Sequence, residues 1–207
     1  MFRLRPKQDY TLEWARQLER SRGHVRIHSR WDDGSSRFLI RGNSAGLLYL
    51  ARDVITLAAT VWPKDHPGSP EMDYEPEREL APGLELGLLD KDSVPFLVSI
   101  SREPPPVPFE TFEFQNPPFS GIIETEWRSD SQIRTFLEMD TFNILANQPA
   151  LLSLAEHLVQ LADEVVPPGQ RVTYDRYPLA SGSIPFSLEK SEFIEKITSG
   201  RLLSTQG

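Results

Sequence analysis

The chain has 207 residues, a mass of 23.6 kDa and no cysteine, which excludes disulfides, thiol catalysis, Cys-ligated zinc and iron–sulfur clusters. Apolar residues at 39% and charged residues at 25% are the balance of a folded chain, and no apolar run approaches the ~20 residues of a membrane helix. Net charge is −8 although residues 1–30 hold eight Arg or Lys against three Asp or Glu, so the remaining body is strongly acidic and unsuited to nucleic acid.

The basic start, with Arg3, Arg5 and Lys7, is not followed by an apolar stretch. No signal peptide is expected, and the expected location is the cytoplasm. Tyr10 to Arg20 reads as an N-terminal helix within a basic segment, residues 1–23. From His24 to Trp31, Val25, Ile27 and Trp31 alternate with Arg26, His28 and Arg30, the pattern of a strand with one wet face. Asp33-Gly34 signals a hairpin turn, and Arg37–Arg41 continues as the partner strand. Asn43 or Ser44 caps a helix over residues 44–60, whose stripe of Leu47, Leu48, Leu50, Ala51, Val54, Ile55 and Ala58 must pack on a sheet. Strands near Met72–Tyr74 and Pro95–Ser101 complete a ββαββ unit, residues 24–102. A stiff proline-rich link, residues 103–110, follows.

A second unit, residues 111–190, repeats the plan. Phe38 to Ala58 and Phe142 to Ala162 align without a gap at an offset of 104, with nine of 21 positions identical, Asn43/Asn147 and Leu50/Leu154 among them. The strands before this helix are placed at Ile122–Trp127 and Gln132–Glu138, turning at Ser129-Asp130-Ser131, and Phe142–Leu145 leads into the helix. Downstream, Tyr74 answers Tyr174, Leu80-Ala81-Pro82-Gly83 answers Leu179-Ala180-Ser181-Gly182, and Pro95-Phe96 answers Pro185-Phe186. Leu84–Ser93 then stands as an insertion in the first copy. A short helix over Ser191–Ser199 and a tail, residues 191–207, end the chain. The fold class is α+β: two repeated ββαββ units, each a helix packed on a mostly antiparallel sheet, plus the N-terminal helix.

Candidate chemistry is sparse. Asn43 and Asn147 read as helix caps. Gly42–Gly46 lacks the lysine of a phosphate loop. His24 and His28 share a strand face without a third ligand, and neither His66 nor His157 has an evident Ser or Asp partner. No catalytic residue, metal site or cofactor is expected. The unusual segment is Glu71–Glu79, where Glu71, Asp73, Glu75, Glu77 and Glu79 recur at every second residue. In extended chain they project to one side about 6.6 Å apart. Pro76 places the segment at an edge or loop. It reads either as a solvated edge that blocks aggregation or as a docking face for a basic protein. The second copy carries the mixed Arg171–Arg176 instead, so the fold does not demand the ladder. Asp73, Glu75, Glu77 and Glu79 are the candidate partner-binding residues.

The unit resembles a family of predicted immunity proteins of bacterial polymorphic toxin systems, here as a tandem duplication. The resemblance lies in Ile40-Arg41-Gly42-Asn43, the helix opening Gly46-Leu47-Leu48-Tyr49-Leu50-Ala51, the acidic strand Met72-Asp73-Tyr74-Glu75, Leu80-Ala81-Pro82-Gly83 and Phe96-Leu97-Val98-Ser99-Ile100. It covers residues 24–101 and, more loosely, 122–190. The chain departs from the pattern where Glu71-Met72-Asp73 and Arg171-Val172-Thr173 stand in place of a histidine-bearing strand, and where Ala146 replaces Gly42. The resemblance implies a non-enzymatic protein that neutralises a toxin by binding it. Two other readings stay open from the residues alone: a structural or regulatory interaction module, and an unrecognised hydrolase. Oligomeric state is not legible.

Overall fold

The computed structural model describes residues 2–4, 25–32, 34, 36–60, 70–75, 78–81, 84–86, 89–102, 104–109, 112–114, 119–123 and 126–192. The helices expected at Tyr10–Arg20 and Ser191–Ser199 lie outside the described residues, the first two positions of the latter excepted. Twelve strands and two helices are described: β1 (Phe2–Leu4), β2 (Ile27–Trp31), β3 (Phe38–Gly42), α1 (Ser44–Ala59), β4 (Glu71–Tyr74), β5 (Arg78–Ala81), β6 (Leu84–Leu86), β7 (Phe96–Ile100), β8 (Phe112–Phe114), β9 (Ile133–Glu138), β10 (Thr141–Ala146), α2 (Gln148–Ala162), β11 (Arg171–Tyr174) and β12 (Phe186–Lys190). The architecture is α+β with two ββαββ repeats. None of the described helices is long and apolar enough to cross a membrane.

The two copies are interlocked. One four-stranded sheet, in the order β4-β7-β10-β9, joins the last two strands of the first copy's main sheet to the first hairpin of the second. The other, β11-β12-β3-β2, does the converse. In each sheet the central pair is parallel and crosses between copies, β7 with β10 and β12 with β3, while the outer pairs are antiparallel and stay within a copy. Helix α1 packs against β3, β4 and β7, α2 packs against β12, and the two helices pack against each other.

The spacing shared by the two copies has a physical cause at the helix caps and at the strand starts. Asn43 and Asn147 each accept two backbone N–H groups at one side-chain oxygen. Asn43 takes Gly46 and Arg26, at 2.8 and 3.2 Å; Asn147 takes Ala150 and Gln132, at 3.2 and 3.0 Å. One side chain therefore caps the helix and fastens it to the residue entering the first strand. Phe38, Phe96, Phe142 and Phe186 are all buried at the start of the four central strands. Phe38 and Phe142, the same position in the two copies, stack face to face with centroids 4.0 Å apart. That contact lies where a two-fold axis relating the copies must pass. Each buried Phe contributes roughly 2–3 kcal/mol, so the quartet is a large part of what holds the copies together.

A second matched device links the two sheets. Leu89 bridges Ile27, and Leu179 bridges Ile133, both in parallel. The Ser29 N–H donates to Ser93 Oγ, as the Thr135 N–H does to Ser183 Oγ, both at 3.3 Å. The hydroxyls of Ser29 and Thr135 donate onward to the carbonyls of Val94 and Ile184. These pairs correct the sequence alignment. The counterpart of Leu179–Gly182 is Leu89–Asp92, and the first copy's extra ten residues fall between Tyr74 and Leu89 rather than over Leu84–Ser93. They contain the hairpin β5–β6, which has no equivalent in the second copy.

A further correction concerns the second copy's first hairpin. Among the described residues of Ile122–Trp127 there is no strand, and the pairing is β9 with β10. Ser129-Asp130 is a turn, with Asp130 at φ +63, but it precedes the hairpin. The hairpin turns at Met139-Asp140, which carries no glycine to announce it.

Candidate functional site

Chain direction gathers several strand ends at one end of the molecule. Tyr74 pairs with Phe96, Phe96 with Phe142, and Leu137 with Phe142. The C-terminal ends of β4 and β9 and the β9–β10 turn therefore lie together, at the end of the sheet where the phenylalanines sit. Tyr174 and Phe38 align with Phe186 in the other sheet in the same way.

Of the candidate partner-binding residues, Asp73 is exposed on the edge strand β4, in register with Leu97 of β7, and Glu75 is exposed immediately after it. Glu71 is exposed one step back on the same face, opposite Ser99. The ladder does not continue as one strand. β4 stops at Tyr74, Glu77 lies outside the described residues, and Glu79 belongs to β5, which pairs with β6. The acidic segment is therefore divided between the edge of the four-stranded sheet and the β5–β6 hairpin. Glu71 and Asp73 face outward beside the partly buried Leu97, Leu145 and Phe136, a strip that crosses β7, β10 and β9.

The outer face of the other sheet carries a closed ionic network. Glu189 is buried and held between two arginines: Arg171, whose guanidinium donates to Oε2 at 2.6 and 2.9 Å, and Arg41, an ion pair at 2.8 Å. Arg171 also reaches Asp32 at 3.2 Å, from the other copy. Burial works against the charge on Arg171, but Glu189 and Asp32 outweigh it and raise its pKa. The charges of Arg41, Arg171, Glu189 and Asp32 balance one another. His28 Nδ1 lies 3.2 Å from Ser93 Oγ and 3.9 Å from Asp90, and burial, more than its neighbours' charges, lowers its pKa.

One matched polar pair is not visible in either copy alone. Asp53 and His157 occupy the same position of α1 and α2, on the buried side of each helix. The Tyr74 hydroxyl lies 3.2 Å from Asp53 Oδ2, and the Tyr174 hydroxyl lies 3.0 Å from His157 Nδ1. Burial pushes the Tyr174 phenol well up and pulls His157 down to about 4, the Glu126 backbone opposing the latter weakly. Trp127 stands edge-on to His157 with centroids 5.1 Å apart. A neutral buried imidazole bonded to a tyrosine fills and orients the core. The signal in the sequence was the matched Tyr74/Tyr174 together with a polar residue inside an otherwise apolar helix stripe.

No curated protein and no solved structure matches the chain. The model of one family does, described as Immunity protein 32, over residues 38–100 and 141–191. The matched stretches cover more than half of the chain, and one lies in each copy, beginning at the starts of β3 and β10. The chain belongs to the Immunity protein 32 family.

Proposed function

We propose that the protein is the antidote to a cognate bacterial toxin, acting in the cytoplasm by direct, non-enzymatic binding, with no role for nucleic acid, membrane or cofactor. Membership of an immunity-protein family carries this reading. The toxin surface it receives is basic, and Asp73, Glu75, Glu77 and Glu79 meet it. Supporting this are the exposure of Asp73 on an edge strand and of Glu75 just after it, the net charge of −8 and the absence of this acidic run from the second copy. Complementary charge of this kind acts mainly on association rate.

The test is co-expression with the toxin encoded beside its gene. Rescue of growth is expected, and a toxin that kills equally with and without the chain sinks the proposal. Glu75→Lys with Glu77→Lys should then slow association at low ionic strength while leaving the fold intact. Unchanged rates in that folded variant would leave these carboxylates as a solvated edge.

A further inference from the structure

The turn between β9 and β10 departs from what a two-residue hairpin asks of its sequence. Glu138 pairs with Thr141, leaving Met139 and Asp140 as the turn, at φ +48 and +63. Such turns select Asn-Gly or Asp-Gly because both central residues are left-handed. Methionine has neither glycine's freedom nor the short polar side chain that eases Asn or Asp into this region. Burial does not repay the strain, because Met139 is 93% exposed.

Three neighbours give the turn a definite chemistry. Leu137, the cross-strand partner of Phe142, is 47% exposed. Its counterpart in the first copy, Trp31, instead packs edge-on against Phe142 at 6.1 Å. Glu138 and Asp140 flank Met139, both exposed, and neither has an ion-pair partner among the described residues. The turn stands at the same end of the sheet as Glu75, across three strand spacings, or about 14 Å. A single partner surface can span that distance.

An exposed, flexible apolar side chain on a fixed hairpin, between carboxylates that have no ion-pair partner among the described residues, suits an apolar hollow rimmed by Lys or Arg. We propose that the β9–β10 turn inserts Met139, backed by Leu137, into such a hollow on the basic toxin surface, with Glu138 and Asp140 pairing with its rim. The inference rests on the function proposed above and adds a second, apolar contact to the acidic edge.

The decisive variant is Met139→Asn, because asparagine tolerates the left-handed turn and should keep or raise the unfolding midpoint. The probe is the toxin domain encoded beside the gene, titrated against the full chain. Met139→Asn should weaken Kd at least tenfold, chiefly through faster dissociation. Asp140→Asn should slow association severalfold at low salt and little at high salt. Binding by Met139→Asn within twofold of the parent chain overturns the anchor while leaving the antidote reading intact. A parent chain that does not bind the toxin domain overturns both.

Discussion

His157 makes stability depend on pH in a calculable way. Its folded pKa is about 4 against an ordinary 6.5, the cause being burial. Between these values the unfolded chain takes up a proton that the folded chain refuses. Stability from this group is therefore complete above about pH 6.5 and falls as pH drops towards 4. The whole span corresponds to about 3 kcal/mol, at 1.36 kcal/mol per pKa unit. By pH 5, before most carboxylates titrate, about 2 kcal/mol of it is gone. Urea unfolding at pH 7.5 and pH 5.0 measures the loss directly. His157→Gln keeps an acceptor for the Tyr174 hydroxyl but cannot take up a proton, so its stability should change little over the same interval. His28, also held below its ordinary value, contributes a smaller slope of the same sign in both proteins. A parent chain losing less than about 0.5 kcal/mol, or a His157→Gln variant losing as much as the parent, would refute the assignment.

Other perturbations test the interlocked core. Leu50→Ala and Leu154→Ala, truncating matched and buried side chains, should each cost roughly 2–5 kcal/mol in urea unfolding; under about 0.5 kcal/mol at either would put the core face elsewhere. Gly46→Ala should destabilise by about 1–3 kcal/mol despite alanine's better helix propensity, because its methyl would overlap the Arg26 carbonyl oxygen. A variant as stable as the parent would show that α1 and the entry to β2 can separate freely. Fragments 1–105 and 106–207, each deprived of the strands that complete both its sheets, should show little cooperative unfolding alone and recover it on mixing. Two fragments that each unfold cooperatively would contradict the exchange of strands.

Much of this was legible in the sequence because the copies check one another. The Asn43/Asn147 caps, the two leucine-rich helices and the strands after them follow from a gapless alignment and from side-chain period. The exchange of strands was not legible. Period fixes which face of a strand is buried, not which neighbour it pairs with, and both pairings bury Phe38 and Phe142 equally well. The β9–β10 hairpin was displaced for a related reason. Ser129-Asp130-Ser131 has turn composition and is a turn, whereas the hairpin itself turns on Met139-Asp140, against propensity. Similarly, Leu80-Ala81-Pro82-Gly83 resembles Leu179-Ala180-Ser181-Gly182 more closely than Leu89–Asp92 does. The backbone bridges to Ile27 and Ile133 nevertheless match Leu89 with Leu179.

The duplication also separates scaffold from surface. Whatever the two copies share is explained by folding: a cap that serves two N–H groups, four phenylalanines at the axis, and a hydroxyl that ties each first strand to the segment before each last one. None of these needs a partner. What the copies do not share is the acidic strand β4 with the β5–β6 hairpin in one, and the strained Met139 turn in the other. The fold demands neither, since each copy folds without the other's feature. Both emerge at the same end of one sheet, because strand exchange places β4 and β7 of the first copy beside β10 and β9 of the second. Two separate units, each with its own sheet, would have carried these features on different sheets. Interlocking the copies therefore does more than bury a larger core: it lets a symmetric scaffold present one asymmetric face.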